Sequence, residues 1–163
     1  MVAYATPEWL EEVARIYRAD PSNEVLKRLE KLTFCYRIHA EPAVGIDNDI
    51  YFIMGVDDGV LKELRFVSRT EGEQAANWVL AAKFDQWKRI IQKKDKFITT
   101  VVQGKVSVET GDKAELIGRV SPSADQLVFN FFKAETIWPD EMSPEELLSY
   151  KTNMSNFRKK LGI

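Results

Sequence analysis

The sequence predicts an α+β protein, because its strand patterns and helix patterns lie in separate stretches of the chain and do not alternate strictly. Period-two apolar patterns dominate residues 34–84, whereas helical spacing dominates the first thirty residues and most of the chain beyond residue 85. The length of 163 residues suits one domain, and a hydrophobic share of 45% is ordinary for a globular protein. We therefore expect a single domain spanning residues 1–163.

A helical N-terminal segment is predicted over residues 6–31. Thr6 can cap the first helix, and Pro7 fits its first turn because the missing N–H is not needed there. The apolar face of this helix consists of Trp9, Leu10, Val13, Ile16 and Tyr17. Asp20-Pro21 ends it and starts another, whose apolar stripe is Val25, Leu26, Leu29 and Leu32. Both helices are expected to cover the residues that follow.

A sheet-and-helix core is predicted over residues 32–134, and it begins with strands. Phe34, Tyr36 and Ile38 alternate with less apolar neighbours, as a half-buried strand requires. Residues 50–56 are almost wholly apolar, Asp57-Asp58-Gly59 is typical of a hairpin turn, and residues 60–68 return as a strand. A polar loop is expected over residues 70–74. The strictest alternation in the chain follows, in Ala76, Trp78, Leu80, Ala82 and Phe84.

Short helices and one further strand complete the predicted core. Asp85 can cap a helix that carries Trp87, and a second short helix over residues 97–102 ends at Gly104. A strand over residues 105–109 and a short helix over residues 116–120 come next. Ser121-Pro122 opens a helix with Leu127, Val128, Phe131 and Phe132 as its apolar residues. A capping box at Ser143 then starts a C-terminal helical extension over residues 143–161.

Reactive side chains are scarce. One Cys and one His exclude a Cys/His zinc site, a disulfide and a Cys–Cys redox pair. Neither a nucleophile elbow nor a phosphate-binding glycine loop is present. We interpret His39 as an ordinary strand histidine and Cys35 as a small apolar filler. No cofactor, metal or catalytic residue is expected, although two carboxylates could still meet in space to form a hydrolase or isomerase site.

The charges leave two interpretations open. The formal net charge of −2 predicts no general attraction to nucleic acid. Seven cations nevertheless lie between residues 83 and 105, against two carboxylates. They form either a solvated helix face or a basic rim that contacts lipid headgroups, at about 1 kcal/mol for each cation near an anionic membrane. The candidates for such headgroup or membrane contact are Lys88, Arg89, Lys93 and Lys94.

Targeting patterns are missing as well. The first seventeen residues carry three glutamates and spaced apolar residues, which is unlike a signal peptide. About 18 consecutive uncharged apolar residues, as a spanning helix needs, occur nowhere. We expect a cytoplasmic protein.

Aromatic residues are the remaining lead, at 11% of the chain. The candidate ligand-binding residues are apolar and all lie between positions 78 and 132: Trp78, Leu80, Trp87, Phe97, Val101, Val102, Leu127, Phe131 and Phe132. Such residues form a packed core by default, and the same residue types line apolar ligand pockets. The residue pattern alone leaves both possibilities open.

The order of these elements resembles the sterol carrier protein two family of lipid-binding domains, over about residues 32–132. The resemblance is clearest in the strand from Trp78 to Phe84, the helix opened by Asp85-Gln86-Trp87, and the segment from Gly104-Lys105 to Gly111-Asp112. It implies a five-stranded, mostly antiparallel sheet with helices packed on one side, enclosing an apolar tunnel. It also implies that Trp78 and Leu80 form part of the tunnel floor. The walls would be Phe97, Val101, Val102, Phe131 and Phe132.

Members of that family bind fatty acids, acyl-CoA, phospholipids or sterols without covalent chemistry. This chain departs from the pattern in its C-terminal extension, its two N-terminal helices and the missing peroxisomal terminus. The leading hypothesis is a non-enzymatic protein that binds and transfers a lipid or other apolar small molecule, with transient contact to a membrane surface. The alternative is an interaction or structural module with a filled core, whose terminal helix binds a partner, including a second copy of the chain.

Overall fold

The computed structural model describes residues 1–163 and contains a five-stranded sheet. Its strands are β2 (Lys31–Ile38), β3 (Ile50–Asp57), β4 (Val60–Val67), β5 (Trp78–Ala82) and β6 (Ser107–Thr110). They lie in the order β4-β3-β2-β5-β6, and only the β2–β5 pair is parallel. The α+β class and the mostly antiparallel sheet are therefore confirmed. A separate two-stranded parallel sheet joins β1 (Val2–Ala3) to β7 (Thr136–Ile137).

Seven α-helices accompany the sheet. They are α1 (Pro7–Ala19), α2 (Arg69–Ala75), α3 (Phe84–Ile91), α4 (Phe97–Val102), α5 (Lys113–Val120), α6 (Ala124–Phe132) and α7 (Pro144–Leu161). Four short 3₁₀ helices span Pro21–Leu29, Pro42–Val44, Ser121–Ser123 and Pro139–Glu141. The main hydrophobic core lies between one face of the sheet and all of these α-helices except α2.

The N-terminal helices agree with the sequence in part. The Thr6 hydroxyl accepts a hydrogen bond from the Trp9 backbone N–H at 3.2 Å, and the predicted apolar face of α1 is buried. The second helix is a 3₁₀ helix, in which residues three apart eclipse one another. Leu26 and Leu29 are therefore both buried, whereas Val25 is 48% exposed, so its place in the predicted stripe was wrong.

The hairpin between β3 and β4 is confirmed. Asp58 and Gly59 both have positive φ angles, of 51° and 79°, as a type I′ turn requires. The Tyr17 hydroxyl donates a hydrogen bond to the Gly59 carbonyl at 2.8 Å and so fixes the turn against α1.

The predicted polar loop over residues 70–74 is wrong, because these residues belong to α2. The Ser68 hydroxyl caps this helix by accepting a hydrogen bond from the Glu71 N–H at 3.1 Å. Gly72 is the only buried residue of α2, and a Cβ added there would lie 2.6 Å from the Cys35 Sγ. Helix α2 covers the face of the sheet opposite the main core, where a second cluster consists of Cys35, Tyr51, Ile53, Val67 and Val79.

Two predicted boundaries around β5 shift. The strand ends at Ala82, and α3 begins at Phe84 with Lys83 as its N-cap and no capping side chain, so the prediction that Asp85 caps it was wrong.

Gly111 follows β6 with a φ of 93°, and an added Cβ would lie 2.2 Å from the Asn77 carbonyl oxygen. Only glycine fits this turn.

The C-terminal extension packs along the molecule as α7. Its predicted capping box is confirmed, with the Ser143 hydroxyl accepting from the Glu146 N–H at 3.2 Å and the reciprocal bond at 3.1 Å. The Tyr150 hydroxyl donates to the Tyr4 carbonyl at 2.6 Å, and the Phe157 ring lies 4.9 Å from that of Phe66. Helix α7 therefore anchors the N-terminal segment and covers β4.

Candidate ligand-binding cavity

A small internal cavity lies between the sheet and helices α3, α4 and α6. Its volume is about 40 Å³, and all eleven residues that line it are hydrophobic. The lining consists of Tyr4, Tyr36, Ile38, Phe52, Trp87, Ile90, Ile91, Phe97, Leu127, Val128 and Phe131.

The sheet supplies the floor of the cavity. Tyr36 and Ile38 are two residues apart on β2 and so point to the same face. Tyr36 is the register partner of Phe52 on β3, and their ring centroids are 5.0 Å apart. The period-two pattern of β2 is therefore what directs these side chains to the cavity.

The helices supply the walls. The Trp87 Nε1–H on α3 donates a hydrogen bond to the Arg37 carbonyl at 3.0 Å, which holds the indole edge-on to the Tyr36 ring at 5.6 Å. Helix α4 contributes Phe97, whose ring centroid lies 6.4 Å from that of Trp87. Phe131 on α6 completes the wall. Each of these side chains belongs to the buried face of its helix.

The polar groups of the cavity are neutral. Burial raises the pKa of the Tyr4 hydroxyl and of the Tyr36 hydroxyl well above their usual value. The Tyr36 hydroxyl has only a weak acceptor, the Met54 Sδ at 4.0 Å. The cavity therefore offers apolar surface with neutral hydroxyl groups and no ionised side chain.

The cavity is much smaller than a typical ligand pocket. Pockets that hold drug-sized ligands occupy roughly 300–1,000 Å³, whereas this one is about 40 Å³. The Phe131 ring extends from α6 towards the sheet and α1, with its centroid 5.6 Å from that of Trp9, 6.2 Å from that of Tyr36 and 6.4 Å from that of Phe52. The space between sheet and helices is thus largely filled in this conformation.

Four of the residues proposed from sequence line the cavity: Trp87, Phe97, Leu127 and Phe131. Trp78, Leu80 and Val101 are buried elsewhere in the same core. The Trp78 ring packs on Phe34 at 5.8 Å, and its Nε1–H donates to the Asp112 carbonyl at 3.0 Å.

The structure does not bring Val102 and Phe132 to the cavity, because they are 57% and 46% exposed. Each directly follows a buried residue on its helix, and successive residues lie about 100° apart around a helix axis. Val101 and Phe131 take the inward positions, so their neighbours turn outwards.

The sequence reasoning missed seven lining residues: Tyr4, Tyr36, Ile38, Phe52, Ile90, Ile91 and Val128. For Tyr36 and Ile38, the alternation along β2 already indicated a common inward face. Tyr4 gave no signal, because its position depends on the pairing of β1 with β7 and on the Tyr150 hydrogen bond, which join distant parts of the chain.

The four predicted headgroup cations have two different environments. Lys88 is bound to Asp140 at 2.9 Å and to Glu141 at 3.4 Å. Arg89 is bound to Asp95 at 2.9 Å, and its hydrogen bond is the largest factor that lowers the pKa of that carboxyl to about 2. Lys93 and Lys94 are exposed and form no ion pair. Only the latter two are free to meet an anion.

Chemically, the cavity can enclose an apolar group, and no His, Cys or carboxylate lines it. No group of three or more His, Cys, Asp or Glu residues is placed to hold a metal ion. None of the helices combines the length and the apolar character that crossing a membrane requires.

Comparisons with known proteins agree with this architecture. No protein-family model matches the chain, and no curated protein matches it by sequence. A crystal structure of sterol carrier protein 2 superposes with a TM-score of 0.69 at 16% identity, covering 79% of this chain and 97% of the other. A solution structure of a conserved hypothetical protein from Thermus thermophilus, described as a possible sterol carrier protein, superposes with a TM-score of 0.68 at 16% identity. This match covers 78% of the present chain and 87% of the other. The chain therefore has the fold of sterol carrier protein 2.

Proposed function

We propose that this protein binds a lipid or other apolar small molecule in the cavity between its sheet and helices α3, α4 and α6, and transfers it in the cytoplasm without covalent chemistry. The observation that carries the proposal is the lining, which is hydrophobic at all eleven positions. The fold shared with sterol carrier protein 2 supports it. The candidate ligands are fatty acids, acyl-CoA, phospholipids and sterol-like molecules.

Binding requires the cavity to expand, and α4 is the wall best suited to move. Its only side-chain hydrogen bond is internal, from the Thr100 hydroxyl to the Phe97 carbonyl. By contrast, α3 is fixed by Trp87 and Lys88, and α6 by Asn130, whose side chain exchanges hydrogen bonds at 2.9 Å with that of Asn23. Weakly anchored segments open at the lowest free energy. In this proposal α4 moves outwards to admit the ligand.

The energy for this opening comes from the ligand. Each CH₂ group removed from water contributes about 0.8 kcal/mol before ordering costs are counted. Positive φ angles at Lys93 and Gly104 flank α4, at 62° and 76°, so a turn lies at each end of the moving segment. The burial of a long acyl chain therefore contributes free energy towards displacing this six-residue helix, which no side-chain hydrogen bond ties to the rest of the core.

A bulky substitution in the cavity tests the proposal. Val128→Trp adds an indole to the lining, whereas Val108→Trp makes the same change at a half-buried position on β6, outside the cavity. Titration of the folded variants with a fluorescent fatty acid should show binding weaker by about fivefold or more for Val128→Trp, because overpacking costs roughly 1–3 kcal/mol. Val108→Trp should bind like the wild type. Equal affinities for the two variants would refute the assigned cavity.

A second candidate is an interaction or structural module with a filled core, and the small volume of the cavity favours it. This candidate predicts that the purified protein carries no lipid in native mass spectrometry and binds no fatty acid. The two candidates therefore differ in the first titration, before any variant is made.

A further inference from the structure

We infer that the surface where the end of α6 meets the turn after α3 docks onto an anionic lipid bilayer. We call it the lysine–phenylalanine patch; it consists of Lys93, Phe129, Phe132 and Lys133. The inference deepens the proposed function, on which it rests, by naming the surface that delivers or receives the ligand. Two of its four residues, Phe129 and Lys133, were not among the sequence candidates.

The patch combines two aromatic rings, of which Phe132 is exposed and Phe129 is half-buried, with cations. The Phe129 and Phe132 rings are stacked, with centroids 6.1 Å apart and planes 19° from parallel. The Lys93 Nζ lies 5.0 Å and 4.9 Å from these two centroids, and the Lys133 Nζ lies 5.0 Å from that of Phe129. Phe132 is 46% exposed. Such a surface can insert its rings at a headgroup boundary while its lysines reach the phosphates.

Free charge is concentrated around the patch. Lys93, Lys94 and Lys96 are all exposed and form no ion pair, while the Asp95 between them is bound to Arg89. Lys133 is bound to Asp20 at 3.2 Å. The excess of cations over free carboxylates therefore favours an anionic partner, although the whole chain carries a net charge of −2.

A second copy of the chain fits the patch less well than a bilayer does. A symmetric dimer places the same surface on both sides, so the lysines of one copy would approach those of the other. A stable protein interface also buries roughly 1,200 Å² or more in total. Four side chains supply little of that area, whereas a bilayer needs only shallow insertion of the rings and an attractive charge.

The patch adjoins the cavity through α6. Phe131 and Val128 of this helix line the cavity, while Phe129 and Phe132 lie on its outer side. The turn that contains Lys93 leads directly into α4, the helix proposed to move. A bilayer bound at this patch therefore contacts both elements that enclose the ligand.

Vesicle flotation of the full chain tests the inference. The probes are vesicles of phosphatidylcholine alone and vesicles of phosphatidylcholine with about 30% phosphatidylserine. The wild type should bind the vesicles that contain phosphatidylserine. The variant Lys93→Gln/Phe132→Ser should bind it more weakly, on the order of fivefold or more from the lost lysine alone. The control Lys62→Gln/Leu148→Ser removes an exposed lysine and an exposed leucine elsewhere and should bind within about twofold of the wild type.

Each outcome decides the inference. It is overturned if the wild type does not prefer the anionic vesicles, or if both variants bind them equally. It is also overturned if sedimentation shows a dimer that only Lys93→Gln/Phe132→Ser dissociates. The single variant Phe132→Ser and the control should bind fatty acid in solution like the wild type, since none of the residues changed in them lines the cavity. A wild type that binds vesicles but no fatty acid disproves the proposed function and leaves the docking surface intact.

Discussion

Replacing Phe131 by alanine should convert the small cavity into a larger one and lower the free energy of unfolding. The ring is 7% exposed and packs against Trp9, Tyr36 and Phe52. Truncating a buried phenylalanine costs about 3–5 kcal/mol, from lost burial and from the space left behind. For a domain of this size each kcal/mol lowers the melting temperature by roughly 2–4 °C, so a decrease of roughly 6–20 °C is expected.

An apolar ligand should reverse part of that loss. A ligand that binds only the folded state at about 100 times its dissociation constant adds about 2.7 kcal/mol to stability. Thermal unfolding of Phe131→Ala, followed by circular dichroism with and without a medium-chain fatty acid, should therefore show a higher melting temperature with the ligand. The matched control is Leu26→Ala, since Leu26 is fully buried in the same core and does not line the cavity.

Two results would refute this reasoning. A cost below about 1 kcal/mol for Phe131→Ala would show that the ring is not a packed wall of the core. An equal increase in melting temperature for Phe131→Ala and Leu26→Ala would show that the ligand binds away from the cavity. The control also separates a general effect of fatty acid on the folded chain from filling of this site.

Three further predictions concern buried polar groups. Burial raises the pKa of the Cys35 thiol to about 12, so maleimide at about pH 8 should label this thiol only as fast as the protein unfolds. Fast labelling of the folded protein would contradict the packing of α2 over Cys35. Burial also raises the pKa of the Tyr17 hydroxyl from 10.0 to about 12. Because the folded state favours the protonated forms of Tyr17 and Cys35, their contribution to the free energy of unfolding is fully present below about pH 9 and is lost as the pH rises towards 12. Denaturant titrations should show that loss, with less of it in Tyr17→Phe; an equal loss in that variant removes Tyr17 as a cause. Asn130→Ala should cost about 1–3 kcal/mol in urea unfolding, because it removes two of the four hydrogen bonds that the buried Asn23 side chain forms. The double alanine variant should cost less than the sum of the single ones, and additive costs would contradict the pairing.

Strands with a buried and a less apolar face, and helices with a cap and an apolar stripe, could be predicted from the sequence. Thr6 and Ser143 mark their helices through hydrogen bonds to residues three positions away, so the signal is local. Helix α2 lacks an apolar stripe, because it packs against Cys35 through the backbone at Gly72. Its one available signal was Ser68 followed three residues later by Glu71, the capping pattern.

The residues that line the cavity could be predicted from the sequence only in part, for a physical reason. Helical positions that are adjacent in sequence point in different directions, so an apolar pair such as Phe131 and Phe132 does not reveal which member is buried. The size of the cavity depends on how aromatic rings from distant elements pack together, as Tyr4 and Trp138 do with their ring centroids 4.9 Å apart. Residue types set the apolar character of this region, while its volume is a property of the whole fold.

The most direct test of ligand binding in the cavity is to measure intermolecular nuclear Overhauser effects between a fatty acid and methyl-labelled protein. The proposal predicts contacts from the acyl chain to methyl groups of Ile90, Leu127 and Val128, which line the cavity. Methyl groups of Ile53 and Val79, in the cluster on the opposite face of the sheet, should show none. Contacts to that opposite face, or no contacts at saturating fatty acid, would contradict the proposal that this cavity holds a lipid.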